Sequence, residues 1–260
     1  MRFLKTIVVV VACLAGAASA QAAQCGNSAG GFEAWKSAFA PEAKAAGVGV
    51  GGLSALAGTR YATKTIYADR NQHSFKLSLG AFMSKRGASA IVARGRSLKK
   101  ANAALFASIE ARYGVPAGPI IAIWGMETGF GAVTGNQNTI SAVASLAYDC
   151  RRHDFFTEQL IAALKLVDRG VLSASSVGAM HGEVGQTQFM PKNILTYGTG
   201  GSLNNKETAL SSTANFLKGH GWRRGAGYQP GEPNFAALQG WNAASVYQQA
   251  LAIMGKQIDQ

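Results

Sequence analysis

The sequence predicts a mainly α fold: one compact unit with a small, loop-rich and glycine-rich lobe near residues 50–75. Three observations carry that reading. Apolar residues recur at helical spacing along most of the chain, glycine and proline punctuate the runs, and strand signals are few and short. Composition agrees, since 48% hydrophobic residues, 15% charged residues and a mean hydropathy of +0.07 are too apolar for a disordered polymer. A length of 260 residues suffices for one large domain or two small ones, and the 32 glycines follow no G-X-Y period, which removes a collagen reading.

The chain opens on Arg2 and Lys5, continues with an apolar stretch from Ile7 to Ala18, and reaches Ala18-Ser19-Ala20, small residues at the positions a signal peptidase reads. Residues 1–20 are therefore expected to be a secretory signal and residues 21–260 an exported protein, periplasmic or secreted. The apolar run is shorter than the roughly 20 residues a spanning helix needs, and no later segment reaches that length, so no membrane span is expected. Cleavage removes two basic residues and no acid, so the formal charge falls from +12 to +10. Export also sets the meaning of the cysteines. Cys13 leaves with the signal, and neither it nor Cys25, preceded by Gln24, makes a lipid-attachment site. Cys25 and Cys150 remain as an even pair in an oxidising compartment, and one disulfide tying the N-terminal arm to the body is expected; two free thiols are the alternative.

Along the exported chain, Phe32, Trp35 and Phe39 recur at helical spacing, with Pro41 and Gly47 as punctuation, before the glycine-rich stretch Gly47 to Gly58. Ser74 to Met83 presents Phe75, Leu79, Phe82 and Met83 on one helical face. Ser89 to Tyr113 reads as one long helix, stopped by Gly114-Val115-Pro116. Pro119 is placed to open the next, which runs through Ile120, Ile123, Trp124 and Glu127 until Gly129-Phe130-Gly131 breaks it. Further helices are expected at Ser141 to Ala147, at Asp154 to Arg169 with Asp154 as N-cap, at Lys206 to His220 and at Ala243 to Ile258. Residues 129–140, 178–205 and 221–240 read as loop-rich connections.

Glu127 is the most informative carboxylate, because Ile123 and Trp124 lie one helical turn behind it and Phe130 one turn ahead. Apolar surroundings disfavour the ionised form and raise a carboxyl pKa, which suits a general acid working near neutral pH. A surface glutamate at a helix end is the plainer alternative. Gly185-Gln186-Thr187-Gln188-Phe189-Met190-Pro191, beside a second acid at Glu183, gathers amides and a hydroxyl of the kind that recognise sugar hydroxyls and N-acetyl groups. Alone, this segment is equally a tightly packed turn.

Together the two segments resemble the lytic murein transglycosylases of the B-type, a lysozyme-like family. The matching residues are Tyr113 to Pro116, Ile123 to Gly131, Ser145 to Asp149 with Arg151-Arg152, Gly185 to Pro191, Ala214-Asn215-Phe216-Leu217, Gly221-Trp222, Trp241-Asn242 and Tyr247. The likeness runs from about Phe32 to the C-terminus. It implies a lysozyme-like helical domain with a catalytic cleft that cuts the β-1,4 bond between N-acetylmuramic acid and N-acetylglucosamine and leaves 1,6-anhydro ends. It further implies that Glu127 acts alone as general acid and then base, with Gln188 near the scissile bond and Gln186, Asn215, Glu183 and Tyr247 as further substrate contacts. Phe216 stands where the family often has an aromatic hydroxyl. Tyr247 reads equally as a packed core aromatic, and Glu183 equally as a structural partner of Arg151 or Arg152.

Relatives with a calcium loop carry acids after the Q-F-M-P motif, whereas residues 197–205 contain none. His73, His153, His181 and His220 lack zinc spacing. No metal and no cofactor are therefore expected. No separate peptidoglycan-binding module is expected either, which leaves the +10 charge as a means of holding an anionic polymer. The expected partner is the peptidoglycan glycan strand; the sequence names no protein partner. A hydrolytic muramidase on the same fold and a non-catalytic glycan-binding or scaffold protein are the alternatives. Nucleic-acid binding is disfavoured by the signal peptide and by the lack of a basic run beyond Arg94, Arg96, Lys99 and Lys100, which reads as a solvated helix face.

Overall fold

The computed structural model describes residues 23–71 and 77–260; the signal segment, Cys13, His73 and Phe75 lie outside them. Among the described residues are thirteen α-helices and one two-stranded antiparallel ribbon. In order they are α1 (Phe32–Ala45), α2 (Val50–Ala57), α3 (Thr63–Arg70), α4 (Leu79–Lys85), α5 (Ala88–Ala101), α6 (Ala103–Tyr113) and α7 (Ala117–Thr128). The ribbon strand β1 (Gln137–Asn138) leads to α8 (Thr139–Tyr148) and α9 (His153–Asp168), and β2 (Val177–Gly178) pairs back onto β1. The chain closes with α10 (Pro191–Tyr197), α11 (Lys206–Gly219), α12 (Phe235–Trp241) and α13 (Ser245–Asp259).

The centre of the fold is α7. Every one of its residues except Glu127 is buried. A helix apolar on all sides needs neighbours on all sides, and α5, α6, α11 and α13 supply them. The closest crossing is with α13, where a Cβ on Gly118 would overlap the carbonyl oxygen of Gly255, so only glycine lets the two backbones meet.

Several boundaries differ from the sequence expectation for local reasons. The long helix expected over Ser89 to Tyr113 is two, because Asn102 turns its amide back onto the Leu98 carbonyl (2.9 Å) while its Oδ1 accepts from Lys206 Nζ (2.5 Å). Asp154 is not an N-cap; the cap position is Arg152, and Asp154 lies in the first turn of α9. Pro119 sits inside α7, which starts after Pro116. The glycine-rich stretch is helical, because the N–H groups of Gly49 and Gly52 donate to the Asp168 carboxylate at 2.6 and 2.7 Å and close the N-terminus of α2 from outside. The supposed lobe is therefore α2 and α3 packed on α8 and α9. Two short helices, α10 and α12, occupy stretches read as loop. The basic cluster is more than a solvated face: Arg94 lies over the Phe130 ring, and Arg96 and Lys99 donate to the carbonyls that end α13.

Cys25 and Cys150 form the expected disulfide, across a sequence separation of 125 residues. Beside it Gly26 N donates to the Tyr148 carbonyl and the Tyr148 hydroxyl to the Ser28 carbonyl, both at 2.9 Å. Phe32, Trp35, Tyr61 and Tyr148 then pack ring against ring and seal the arm to α8. Replacing both cysteines with serine is expected to lower the unfolding free energy by about 2–4 kcal/mol, read by reversible denaturation. Unchanged stability would show that the aromatic cluster alone holds the arm.

Candidate active site

Glu127 stands at the last turn of α7, where the chain is forced out of the helix. Gly129, Phe130 and Gly131 all have positive φ, at 59°, 68° and 82°. That conformation is ordinary for glycine and strained for phenylalanine. It is held by packing: Phe130 meets Trp124 edge to face, with Arg94 over its ring. Thr128 completes the turn, accepting from Gly131 N (2.8 Å) and donating to the Gln186 carbonyl (2.6 Å).

The carboxyl of Glu127 opens on a cavity of about 220 Å³ lined by Glu183, Gln188, Met190, Asn193, Trp241 and Asn242, with Phe189 and Phe216 behind. The Tyr247 hydroxyl and the Trp241 indole N–H both donate to its Oε1, at 2.6 and 3.0 Å. Burial pushes the Glu127 carboxyl above its usual range; the bonds from Tyr247 and Trp241 and the Arg86 charge oppose the rise, and the Glu183 charge adds to it. The net direction is upward, toward a carboxyl that keeps its proton. Burial, and then the Glu127 charge and hydrogen bond, hold the Tyr247 phenol well above the ordinary tyrosine value, so it serves here as a neutral donor.

The other expected residues separate into two groups. Gln188 lines the cavity, itself at φ 53°, with its amide nitrogen donating to the Thr134 and Gly185 carbonyls, so the amide oxygen is the group it presents to the cleft. Glu183 lines it too. Its partner is neither Arg151 nor Arg152, both of which pair with Asp69, but His181, whose backbone N–H donates to Oε2 at 3.0 Å. Burial pushes the Glu183 carboxyl up, but the side-chain bond from His181, backbone bonds and the His181 charge outweigh it, and the net direction is below the ordinary value. Tyr247 is a buried aromatic that reaches Glu127 with its hydroxyl and is not among the residues lining the cavity.

Gln186 and Asn215 fall outside the cavity wall. Gln186 accepts from the Trp124 indole (2.9 Å) and donates to the Asn204 carbonyl (2.7 Å), tying the Gly185–Pro191 turn to α7. Asn215 donates to the Tyr197 carbonyl, joining α11 to the end of α10. Both are expected substrate contacts that instead brace neighbouring elements: the Gln186 amide is engaged by the Trp124 indole and the Asn204 carbonyl, and the Asn215 amide nitrogen by the Tyr197 carbonyl. Phe216 carries no hydroxyl, and the bonds to Glu127 come from Tyr247 and Trp241 instead; Phe216 stacks on His220 and packs edge-on against Trp241. Trp241, Asn193 and Asn242 are lining residues with hydrogen-bonding groups that the sequence reading does not select. Trp241 and Asn242 lay in a matching motif, but α12, which delivers them, was read as loop. Among the described residues no three His, Cys, Asp or Glu side chains gather as a metal site.

Comparison with known proteins gives a consistent picture. The transglycosylase SLT domain profile matches residues 31–231. The membrane-bound lytic murein transglycosylase B of Escherichia coli K12 is 33% identical over 137 aligned residues, covering 47% of this chain; the match spans only 38% of that relative's length. SltB3 from Pseudomonas aeruginosa, solved in complex with NAG-anhNAM-pentapeptide, superposes with a TM-score of 0.78 at 27% identity, over 86% of this chain and 78% of that one. Escherichia coli Slt35 in complex with calcium superposes at 0.72 and 19% identity, over 91% of this chain and 96% of that one, a likeness of fold.

A carboxyl whose folded pKa exceeds its unfolded value leaves stability untouched below the unfolded pKa and reduces it as pH rises toward the folded one. Glu127→Gln is therefore expected to be more stable than the wild type at neutral pH and equal to it in acid, measured by denaturation at both. Tyr247→Phe removes a bond that favours the carboxylate, so the Glu127 pKa should rise further, followed by carboxyl NMR titration. A downward shift would refute the assignment.

Proposed function

Because the chain belongs to the transglycosylase SLT domain family, we propose that it is an exported peptidoglycan lytic transglycosylase, acting on the β-1,4 bond between N-acetylmuramic acid and N-acetylglucosamine. The observation that carries this reading is the placement of Glu127: the one half-buried residue of an otherwise buried α7, at the wall of a polar cleft, with its largely enclosed carboxyl biased toward the protonated form.

The chemistry follows from that one proton. Glu127 donates it to the glycosidic oxygen, the C1–O bond breaks, and the electron pair leaves with the N-acetylglucosamine hydroxyl. The Glu127 carboxylate, steadied by Tyr247 and Trp241, then takes the proton of the muramyl C6 hydroxyl as its oxygen closes on C1. The acid is regenerated and no water is consumed. Phe189, Phe216 and Trp241 contribute aromatic surface to the wall of the polar cleft, which favours intramolecular closure over attack by solvent. Gln188, Asn193 and Asn242 are placed to read sugar hydroxyls and N-acetyl groups.

The substrate fits the charge. Murein carries lactyl and peptide carboxylates, and a net +10 on residues 21–260 attracts such a polymer. Residues 1–20 as a signal and the catalytic unit at 21–260 complete a periplasmic or secreted assignment; among the described residues no helix is long and apolar enough to cross a membrane. No step calls for a metal.

Digestion of purified murein is expected to yield products one water lighter than their hydrolytic counterparts by mass spectrometry, and Glu127→Gln to yield none. Reducing-end muramic acid from the wild type would point to a hydrolytic muramidase; equal product from both proteins would leave a glycan-binding role. Activity should survive a chelator, and murein binding should weaken steeply with salt.

A further inference from the structure

From the cavity wall a chain of charged groups runs into the protein that the reaction just described does not use. It begins at Asp69 on α3, whose carboxylate is 2% exposed and is clamped by Arg151 (2.5 Å) and Arg152 from the turn before α9. Next comes His181, whose Nε2 points at Asp69 Oδ1 from 3.9 Å and is buried without a hydrogen-bond partner. Its Nδ1 lies 3.5 Å from Glu183 Oε1, while its backbone N–H donates to Oε2 of the same carboxylate. The chain ends at Glu183, in the cavity wall with Glu127.

This arrangement places an imidazole between two carboxylates, one sealed in the protein and one facing the cleft. With a neutral ring, the two guanidiniums and two carboxylates balance; with a protonated ring, each N–H faces an acid. Both states hold Glu183 in place and favour its negative charge. An ionised carboxylate in a partly desolvated cleft is costly unless something there benefits from it. Cleavage of a glycosidic bond supplies the reason, since positive charge develops at C1 and the ring oxygen as the bond breaks.

On the basis of the activity proposed above, we propose that Glu183 is a second carboxylate for this reaction, facing the positive charge that develops on the muramyl ring while Glu127 supplies the proton, and that His181, backed by Asp69, is its positioning residue. No additional bond is made or broken. Glu183 stays unprotonated throughout, and the proton balance remains that of Glu127.

The charges around the pair act as follows: the Glu183 charge pushes the Glu127 carboxyl up, Arg86, with its guanidinium on the Met126 carbonyl, pulls it down, and the Asp69–Arg151–Arg152 clamp faces His181. Their signs give the test. Measure kcat and KM from about pH 4 to pH 9 for wild type, Glu183→Gln, Glu183→Asp, His181→Gln and Glu127→Gln. Glu183→Gln should lower kcat by about a hundredfold with KM little changed, lose the acid limb of the profile, and move the alkaline limb down in pH, because the charge that helped keep Glu127 protonated is gone. His181→Gln should shift the acid limb upward while keeping activity above it, and Glu183→Asp should recover part of kcat.

Wild-type kcat and both limbs intact in Glu183→Gln would overturn the proposal, as would a His181→Gln profile superposable on wild type. Losses that track thermal unfolding in every variant would assign the chain to stability alone and overturn it too. Failure of the activity itself is separately visible: Glu127→Gln would then match wild type, whatever Glu183 does.

Discussion

A carboxyl group enclosed by an apolar helix bundle is the constraint on which the rest of this molecule turns. Burying Glu127 on a fully packed helix disfavours its charged form, and the fold answers with two neutral donors, Tyr247 and Trp241, instead of a cation in contact. In the proposed reaction a salt-bridged partner would hold the group ionised and useless as an acid, and no donor at all would leave the base formed from it unstabilised. Two neutral bonds lie between these limits. The donors come from α12 and α13 at the far end of the chain, so the site closes only when the C-terminal helices dock on α7.

The second support is the turn after α7. Three consecutive left-handed residues end the helix abruptly and aim the chain at the Gly185–Pro191 segment, where Gln188 is held at positive φ in turn. Gln186 reaches from that segment to the Trp124 indole and Thr128 reaches back to the Gln186 carbonyl. Two strained turns are thus locked to each other by side chains, and the strain is distributed over groups that also define the cleft.

How much of this was legible in the sequence depended on range. The helical class, the disulfide, the break at Gly129 and the apolar surroundings of Glu127 all come from local pattern or simple chemistry. The split at Asn102 was not legible, because it depends on Lys206 more than a hundred residues away. The helicity of α2 was hidden likewise, since its N-terminus is closed by Asp168 and glycine propensity argued against it. Gln186 and Asn215 have the right chemistry for sugar contacts, and only their neighbours show that their amides are engaged within the protein. The sequence leaves Glu183 between two roles because its partner, His181, is two residues away and looks like an ordinary loop histidine.

The near-complete burial of α7 also governs where this protein has room to vary. A helix with no solvent face offers no position for neutral drift: a change anywhere on it besides Glu127 is a change of packing against four neighbours. Gly118, pressed against the Gly255 carbonyl, cannot accept even a methyl group without moving α13, and with it Tyr247. Change around the cavity is thereby directed to the loops and short helices that carry Gln188, Asn193 and Asn242, while α7 and the helices packed on it are inherited as a block.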